Sequence, residues 1–308
     1  MALSFLSPIS LYCYYLRFFF TSSGLSRQAV DIDNDTTVHF WGPKNTHKTT
    51  ALNPKPSLVL IHGFGPDSLW QWRKQVQFFS SQFNLYVPDL IFFGESTTKS
   101  PGRSEVFQAE SMASLLEKLG VEKYSVMGTS YGGVVAYHMA RMWPERVEKV
   151  VVASSGVNMK RSDNEELIRK SKMDDIGDLM LPKQVSDLRT LMELAVYGRF
   201  IHMIPDIILK DFIHKLYTPN RSKKLELLKG TIIGRVETVN ISPLHQDVLL
   251  IWGAHDQIFP LEMAYELKGL IGKNVKLEII KNASHVPQIE NPTQFNNIVN
   301  SFLCSSSS

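Results

Sequence analysis

Three side chains of this sequence, Ser130, Asp256 and His285, have the types and the order needed for nucleophilic attack on an acyl carbonyl. A serine hydroxyl is a weak nucleophile at neutral pH, so it needs a base nearby, and an imidazole base needs a carboxylate that fixes its tautomer. Each residue follows closely on a predicted strand, so the three can meet at one edge of a sheet. We therefore predict that Ser130 attacks, His285 transfers the protons and Asp256 orients the histidine.

The serine lies in the motif Gly128-Thr129-Ser130-Tyr131-Gly132, which follows a predicted strand and precedes a predicted helix from Val134 to Met142. The motif alone is a weak signal, but a strand before it and a helix after it are typical of a sharp turn that exposes the serine hydroxyl. Side chains at Gly128 and Gly132 would collide with neighbouring backbone in such a turn. We expect Ser130 itself to adopt a strained backbone conformation.

A second loop, His62-Gly63-Phe64-Gly65, follows the apolar run Ser57 to Ile61. In enzymes with such a serine turn, this loop supplies a backbone N–H that binds the negative charge developing on the carbonyl oxygen. We predict an oxyanion hole formed by the N–H groups of Phe64 and Tyr131, where one donor typically contributes about 2.7 to 4 kcal/mol of transition-state stabilisation. We expect the His62 ring to fix the loop by hydrogen bonds, and we count Gly63 among the supporting residues.

Two acidic residues have alternative interpretations. Asp256, in the loop after the predicted strand Val248 to Trp252, could instead cap a helix that begins near Leu261. Asp89 also ends a predicted strand and could replace Asp256 as the acid, although we expect it to tie down the loop from Gly94 to Ser96. A histidine follows downstream, which favours Asp256 as the acid because a helix cap requires no second partner.

The elements that must position these residues alternate between strands and helices. A short antiparallel hairpin, Val30 to Ile32 and Val38 to Trp41, precedes Ser57 to Ile61, a continuous apolar run of the kind that is buried on both faces of a parallel sheet. The predicted strands of this sheet are Ser57 to Ile61, Leu85 to Pro88, Tyr124 to Met127, Val147 to Ala153, Val248 to Trp252 and Val275 to Ile280. The alternation predicts an α/β fold with a mostly parallel central sheet covered by helices.

Strand signals are absent between about residues 156 and 240, where charged helical patterns replace them. We predict that this block is a helical lid over the carboxyl ends of the strands, where open α/β sheets bind ligands. The lid divides the core into residues 30–155 and 241–308. Two roles are open for the methionines of the lid: they form an adaptable apolar lining for a substrate, or they pack lid helices against one another. These residues are Met173, Met180, Met192 and Met203.

Composition excludes several classes of function. The 308 residues carry a formal net charge of +3, a mild excess without the concentrated basic stripe that nucleic-acid binding requires. The two cysteines, Cys13 and Cys304, lie near the two ends, so the sequence predicts no disulfide framework and no clustered metal site. The predicted chemistry uses no metal and no organic cofactor, and nucleic acid is not an expected partner.

Residues 1–29 contain no acidic residue and are rich in serine and aromatic side chains. Apolar side chains recur there at helical spacing: Phe5, Ile9, Tyr12, Leu16 and Phe20. This pattern predicts an amphipathic helix that lies on a membrane surface or on the protein itself. A transit peptide and a secretory or membrane-anchoring segment are the alternatives. The compartment therefore stays open between cytoplasmic, membrane-associated and plastid.

These motifs resemble those of the α/β-hydrolase superfamily, in particular plant-type members similar to monoacylglycerol lipases and to meta-cleavage product hydrolases. The resemblance covers about residues 30 to 302 and rests on the loop at 62–65, Asp89, the loop at 94–96, the serine motif at 128–132, Asp256 and His285. Family members usually have glycine where this chain has Phe92. Meta-cleavage hydrolases usually have Asn before the nucleophile and Trp after the catalytic histidine, where this chain has Thr129 and Val286.

The resemblance implies an α/β-hydrolase fold and a carboxylic ester hydrolase that acts through an acyl-enzyme on a small to medium apolar substrate. Epoxide and haloalkane hydrolases of this family use an aspartate nucleophile, which disfavours their chemistry here. A carbon–carbon bond hydrolase of the meta-cleavage type is the first alternative, although Thr129 and Val286 weigh against it. A slow-turnover small-molecule receptor on the same fold is the second.

Overall fold

A nine-stranded mixed sheet forms the centre of the computed structural model, which describes residues 7–44, 55–198 and 200–305. Its strands are β1 (Leu25–Asp31), β2 (Thr36–Pro43), β3 (Ser57–Ile61), β4 (Asn84–Pro88), β5 (Thr97–Thr98), β6 (Tyr124–Thr129), β7 (Val147–Ala153), β8 (Asp247–Gly253) and β9 (Val275–Ile280). Their order across the sheet is β1-β2-β4-β3-β6-β7-β8-β9, and β5 pairs with β2. The six strands from β4 to β9 in this order pair in parallel, whereas β2 pairs antiparallel with β1, β4 and β5.

Helices cover both faces of this sheet. They are α1 (Pro8–Ser22), α2 (Ser68–Phe79), α3 (Glu105–Lys118), α4 (Tyr131–Met142), α5 (Arg161–Ser171), α6 (Ile176–Met180), α7 (Val185–Ala195), α8 (Asp206–Phe212), α9 (Arg221–Gly230), α10 (Leu261–Ile271), α11 (Pro287–Glu290) and α12 (Pro292–Cys304). A 3₁₀ turn at Phe200–Met203 and a π turn at Ile213–Tyr217 complete the set in the described ranges.

Strand β3 shows why its sequence is apolar without interruption. Leu58 and Leu60 belong to the apolar layer on one face of the sheet, and Val59 and Ile61 belong to the layer on the other face. Successive side chains of a strand point to opposite faces, so a strand covered on both faces needs apolar residues at every position. The bounds of β3, β7 and β9 are those that the sequence predicts. β1 starts earlier than predicted, at Leu25 instead of Val30, and so places residues 25–29 in the sheet.

The amino-terminal helix α1 packs on the protein itself. Ile9, Leu16 and Phe20 of the predicted apolar stripe are buried, whereas Tyr12 is more than a third exposed. Phe5 lies outside the described residues. Within the ranges that the structure describes, no helix combines the length and the apolar character needed to cross a membrane.

A helical insertion separates β7 from β8. It contains α5 to α9, so its helices span Arg161–Gly230, somewhat less than the predicted block of residues 156–240. The segment that returns from the insertion to the sheet is held by the buried carboxylate of Glu105 on α3. The N–H of Ile232 donates hydrogen bonds of 3.0 and 3.2 Å to the two oxygens of this carboxylate, and the N–H of Ile233 donates one of 3.3 Å.

Replacement of Glu105 tests this anchor. We expect Glu105→Gln to lower the free energy of unfolding by about 1 to 3 kcal/mol, because the buried N–H groups lose charge-assisted acceptors. Glu110→Gln is the matched control, since Glu110 lies on the same helix but is exposed, and we expect it to change stability by less than about 0.5 kcal/mol. Urea denaturation of both variants measures the difference, and equal stabilities would show that Glu105 does not anchor the insertion.

Candidate active site

The turn between β6 and α4 holds Ser130 in a backbone conformation that L-residues rarely adopt, with φ 53° and ψ −125°. Its N–H donates to the carbonyl of Ala153 at 2.9 Å, and its own carbonyl accepts the Ser155 hydroxyl at 2.6 Å. A Cβ at Gly128 would overlap the carbonyl of Gly132, and one at Gly132 would overlap the carbonyls of Ile61 and His62. The two glycines are therefore required by the close approach of three backbone segments.

Asp256 and His285 form a buried pair at the carboxyl ends of β8 and β9. Nδ1 of His285 lies 3.0 Å from Oδ2 of Asp256. The second oxygen of Asp256 accepts the N–H groups of Ile258 and Phe259, both at 2.9 Å. These three hydrogen bonds fix the position of the carboxylate. The pair fixes the Nδ1–H tautomer of the imidazole, so Nε2 is left available as a base. Asp256 does not cap α10, which has Pro260 at its N-cap position.

The His285 ring packs against the side chain of Phe259, with 5.2 Å between ring centroids. Phe259 and Ser130 line the same cavity, so the histidine lies beside the space that the serine faces. Among the described residues, the Ser130 hydroxyl makes no hydrogen bond of standard length with His285. Such contacts in hydrolytic sites are often long without a ligand and shorten when substrate binds.

The N–H groups of Phe64 and Tyr131 are both without an acceptor in the part of the chain that the structure describes. The Tyr131 N–H opens α4 and belongs to the unpaired amides of the first helical turn. The loop of Phe64 approaches Ser130 closely, since a Cβ at Gly63 would lie 2.9 Å from Cβ of Ser130. Phe64, Ser130 and Tyr131 line one cavity, so two free donors lie beside the serine.

His62 fixes this loop through both ring nitrogens. Nδ1 donates to the carbonyl of Gly63 at 2.8 Å, and Nε2 accepts the N–H of Leu90 at 3.0 Å. This pattern requires the neutral ring, and burial lowers the pKa of His62 accordingly, despite nearby Asp89. The His62 ring therefore ties two loops together.

Asp89 ties strand β1 to helix α2. It accepts the hydroxyl of Ser68 at 2.6 Å and the Arg27 guanidinium at 2.6 Å. Burial alone would raise the pKa of Asp89, but the charge of Arg27 holds it below its ordinary value. Its carbonyl also accepts the Ser96 hydroxyl at 2.8 Å, which ties Ser96 to the end of β4.

Phe92 lies in that loop with φ 76°, in the left-handed region that favours glycine. The family's usual glycine at this position is explained by this conformation. Here the ring of Phe92 instead stacks under the guanidinium of Arg103, with 4.6 Å from Cζ to the ring centroid.

A group of buried charges lies near His62. Burial raises the pKa of Asp67 to about 7, and neighbouring Asp89 adds to the effect. Burial lowers the pKa of Lys224 on α9 to about 8, although both aspartates oppose this. The Lys224 ammonium donates to the carbonyl of Leu216 at 3.2 Å and lies 5.0 Å from the ring centroid of Phe93, which packs against Phe64. The insertion thus contributes a cation to the core next to the loop at 62–65.

Sequence reasoning missed three residues that shape the site. Gln71 accepts the N–H of Gly63 at 2.8 Å and donates to the carbonyl of Pro66 at 3.0 Å, which ties α2 to the loop of Phe64. Glu290 accepts the N–H of Ser284 at 2.7 Å and that of Tyr197, and burial raises its pKa. Ser155 holds the carbonyl of the serine turn. Ser155 had a faint signal in the sequence, since it follows a predicted strand. Gln71 and Glu290 had none.

The cavity beside Ser130 has a volume of about 390 Å³ and lies between the serine turn and the insertion. Most of its wall is apolar, with polar side chains such as Asn164 and Arg235 at some points. Its apolar lining includes Met159, Leu167, Met180, Leu228, Ile233 and Phe259. Of the four methionines considered as lining, Met180 lines the cavity, Met173 and Met192 pack against the core, and Met203 is exposed.

Comparison with known proteins places these features in a family. A family model described as the alpha/beta hydrolase fold matches residues 56–292, so this chain belongs to the α/β-hydrolase fold family. The predicted fold, with its helical insertion, is confirmed.

Two named relatives and one solved structure show the range of the family around this chain. Carboxylesterase YbfK of Bacillus subtilis is 27% identical over 263 residues, covering 82% of this chain and 83% of the relative. A 2-hydroxy-6-oxononadienedioate/2-hydroxy-6-oxononatrienedioate hydrolase of Pseudomonas putida is 23% identical and covers 84% of this chain and 92% of its own length. The crystal structure of a bacterial membrane phospholipase A has a TM-score of 0.79 at 21% identity, over 98% of this chain and 92% of that one.

The glycine requirement of the serine turn is testable. We expect Gly132→Ala to lower the free energy of unfolding by about 3 kcal/mol or more, because its Cβ meets backbone that cannot move. Gly269→Ala is the matched control: Gly269 lies in α10 with open space around its Cα, and alanine there should raise stability by about 0.5 kcal/mol. Thermal and urea unfolding compare the two, and a stable, unperturbed Gly132→Ala protein would contradict the described turn.

Proposed function

We propose that this protein is a carboxylic ester hydrolase in which Ser130 is the nucleophile, His285 the general base and acid, and Asp256 the residue that orients the histidine. The observation that carries the proposal is the combination of a strained, cavity-facing serine with two N–H groups beside it that have no acceptor among the described residues. The buried Asp256–His285 pair supports it further, because a carboxylate on Nδ1 leaves Nε2 as a base.

In acylation, the Ser130 hydroxyl attacks the ester carbonyl and its proton passes to Nε2 of His285. The carbonyl oxygen becomes an oxyanion that accepts the N–H groups of Phe64 and Tyr131. The tetrahedral intermediate then collapses, the bond to the alkoxy oxygen breaks, and the imidazolium donates its proton to the leaving alcohol. The products of this half-reaction are the free alcohol and an ester of Ser130.

In deacylation, water takes the place of the alcohol. His285 removes a proton from water as it attacks the acyl-serine carbonyl, and the same two N–H groups bind the second oxyanion. Collapse returns the proton to Ser130 and releases the carboxylic acid. Asp256 stays ionised throughout, since it stabilises the imidazolium by its charge instead of accepting the proton.

The substrate class follows from the cavity. A mostly apolar wall, with Asp175, Lys229 and Arg235 as its charged members, favours an apolar acyl or alkyl group of small to medium size. The insertion supplies much of this wall, which supports its predicted role as a lid. Similarity to a carboxylesterase supports an ester as the reacting bond.

A carbon–carbon bond hydrolase is the second candidate, favoured by the similarity to the Pseudomonas putida hydrolase. The same serine, histidine and oxyanion donors would serve it. Thr129 and Val286, in place of the Asn and Trp usual in that branch, weigh against it. A 2-hydroxy-6-oxo-dienoate substrate, offered beside esters, separates the two activities by product.

Hydrolysis of p-nitrophenyl esters from acetate to palmitate tests the proposal. We expect turnover with an optimum at short to medium chains, and at least about a 10⁴-fold loss of kcat/KM in Ser130→Ala, since removing a nucleophile disables the whole triad. The control is Ser301→Ala, at an exposed position of α12, which should retain wild-type activity. A fluorophosphonate should label the wild type at Ser130 and leave Ser130→Ala unlabelled.

Two results would contradict the proposal. A folded protein that neither labels nor hydrolyses any ester would show that the serine is not a nucleophile. Labelling of Ser130 without ester turnover, together with ligand-induced shifts of the melting temperature, would identify a slow-turnover receptor instead.

A further inference from the structure

The outward side of α1 is as apolar as its buried side. Leu11, Tyr14, Tyr15 and Phe18 recur at positions i, i+3, i+4 and i+7, so they lie on one face of the helix. Their exposed fractions are 57, 76, 45 and 60%. We call these four residues the aromatic face of α1. A helix that is apolar around its whole circumference is unusual on a water-facing surface and normally has a second apolar neighbour.

The opposite side of α1 is held firmly by the protein. Ile9, Leu16 and Phe20 lie about half a turn away from the aromatic face at about 100° per residue, and all three are buried. Lys44 fixes the carboxyl end of the helix by a 2.7 Å hydrogen bond to the carbonyl of Thr21. The aromatic face therefore cannot turn inward to bury itself, and within residues 7–44, 55–198 and 200–305 it stays exposed.

Two arginines border the aromatic face. Residues 8–22 of α1 contain no acidic side chain, and exposed Arg17 lies on the helix beside the face. On the other flank, the guanidinium of Arg73 from α2 lies 5.7 Å from the ring centroid of Tyr15 and 5.4 Å from that of Phe19. Aromatic side chains bordered by arginines match the boundary between the headgroups and the acyl chains of a bilayer that contains anionic lipid.

We propose that the aromatic face of α1 is a lipid-binding surface that docks this protein on an anionic membrane, with the helix lying in the plane of the interface. Four apolar side chains would enter the headgroup region while Arg17 and Arg73 contact lipid phosphates. This proposal does not depend on the ester hydrolase function, because no residue of the face belongs to the catalytic site.

The docked helix would also bring the insertion to the membrane. The N–H of Ile9 donates to the Asp211 carboxylate of α8 at 3.0 Å. Ile207 lies one turn before Asp211 on the same side of α8 and is largely exposed. The insertion would thus approach the lipid surface through α8.

Vesicle cosedimentation tests the proposal, with the full chain in the Ser130→Ala form so that no lipid is hydrolysed. The vesicles are phosphatidylcholine alone and phosphatidylcholine with about 30% phosphatidylserine. We expect the parent protein to bind the anionic vesicles. Tyr14→Ser/Phe18→Ser should lower the partition coefficient about tenfold or more. Arg17→Glu should lower it less, and only with the anionic vesicles.

The matched control is Tyr265→Ser/Leu270→Ser, which removes two exposed apolar side chains from α10, beside β8 and β9 at the other end of the sheet. This variant should bind vesicles as strongly as its parent, because its aromatic face is unaltered. Circular dichroism should show that both double variants are folded. Equal sedimentation of Tyr14→Ser/Phe18→Ser and its parent would overturn the proposal. So would absence of vesicle binding together with a dimer that the same substitutions convert to a monomer, since a second copy of the chain would then cover the face.

Discussion

The close approach of three backbone segments around Gly128 and Gly132 is the constraint on which the rest of the site depends. β6 ends, α4 begins and the loop after β3 passes alongside, all within a space where a single methyl group would overlap a carbonyl. Because the segments are so close, the Ser130 hydroxyl, the first amide of α4 and the amide of Phe64 all border one cavity. Gln71 and His62 keep the loop in place by hydrogen bonds, so the approach is fixed from both sides.

The insertion is bound to the site by polar contacts as well as by apolar packing. The loop of His285 is attached to the end of α7, since the His285 N–H donates to the carbonyl of Ala195 at 3.1 Å. Glu105 holds the returning segment, and Ile233 at that point lines the cavity. A movement of the insertion would therefore alter both the cavity wall and the support of the histidine loop, which links substrate entry to the position of the base.

Much of this arrangement could be predicted from the sequence because it depends on short-range patterns. An apolar run covered on both faces gave β3 its bounds, runs rich in Val and Ile gave those of β7 and β9, and the glycine spacing indicated the serine turn. Early residues of β1 were missed because Ser26, Arg27 and Gln28 carry polar side chains on an edge strand, where one side meets water. The two-residue strand β5 is too short to leave a periodic signal.

The remaining features depend on contacts between residues far apart in sequence. Lys224 approaches Asp67 and Asp89 only because α9 folds over the core, and Glu105 meets Ile232 across more than a hundred residues. The sequence showed the stripe of α1 that packs on the protein, but Leu11, Tyr14, Tyr15 and Phe18 form an equally regular stripe. Which of two apolar faces is buried depends on the neighbouring α2, α8 and β1, so periodicity alone could not decide it.

The most direct test of the central claim is a crystal structure of the adduct formed by an alkyl fluorophosphonate, a mimic of the tetrahedral intermediate. The account predicts phosphorus bonded to Oγ of Ser130 and a phosphoryl oxygen about 2.7 to 3.1 Å from the nitrogens of both Phe64 and Tyr131. It also predicts the alkyl chain in the cavity under the insertion and Nε2 of His285 facing the phosphonate. A phosphoryl oxygen that contacts neither amide, or an adduct on another residue, would contradict it.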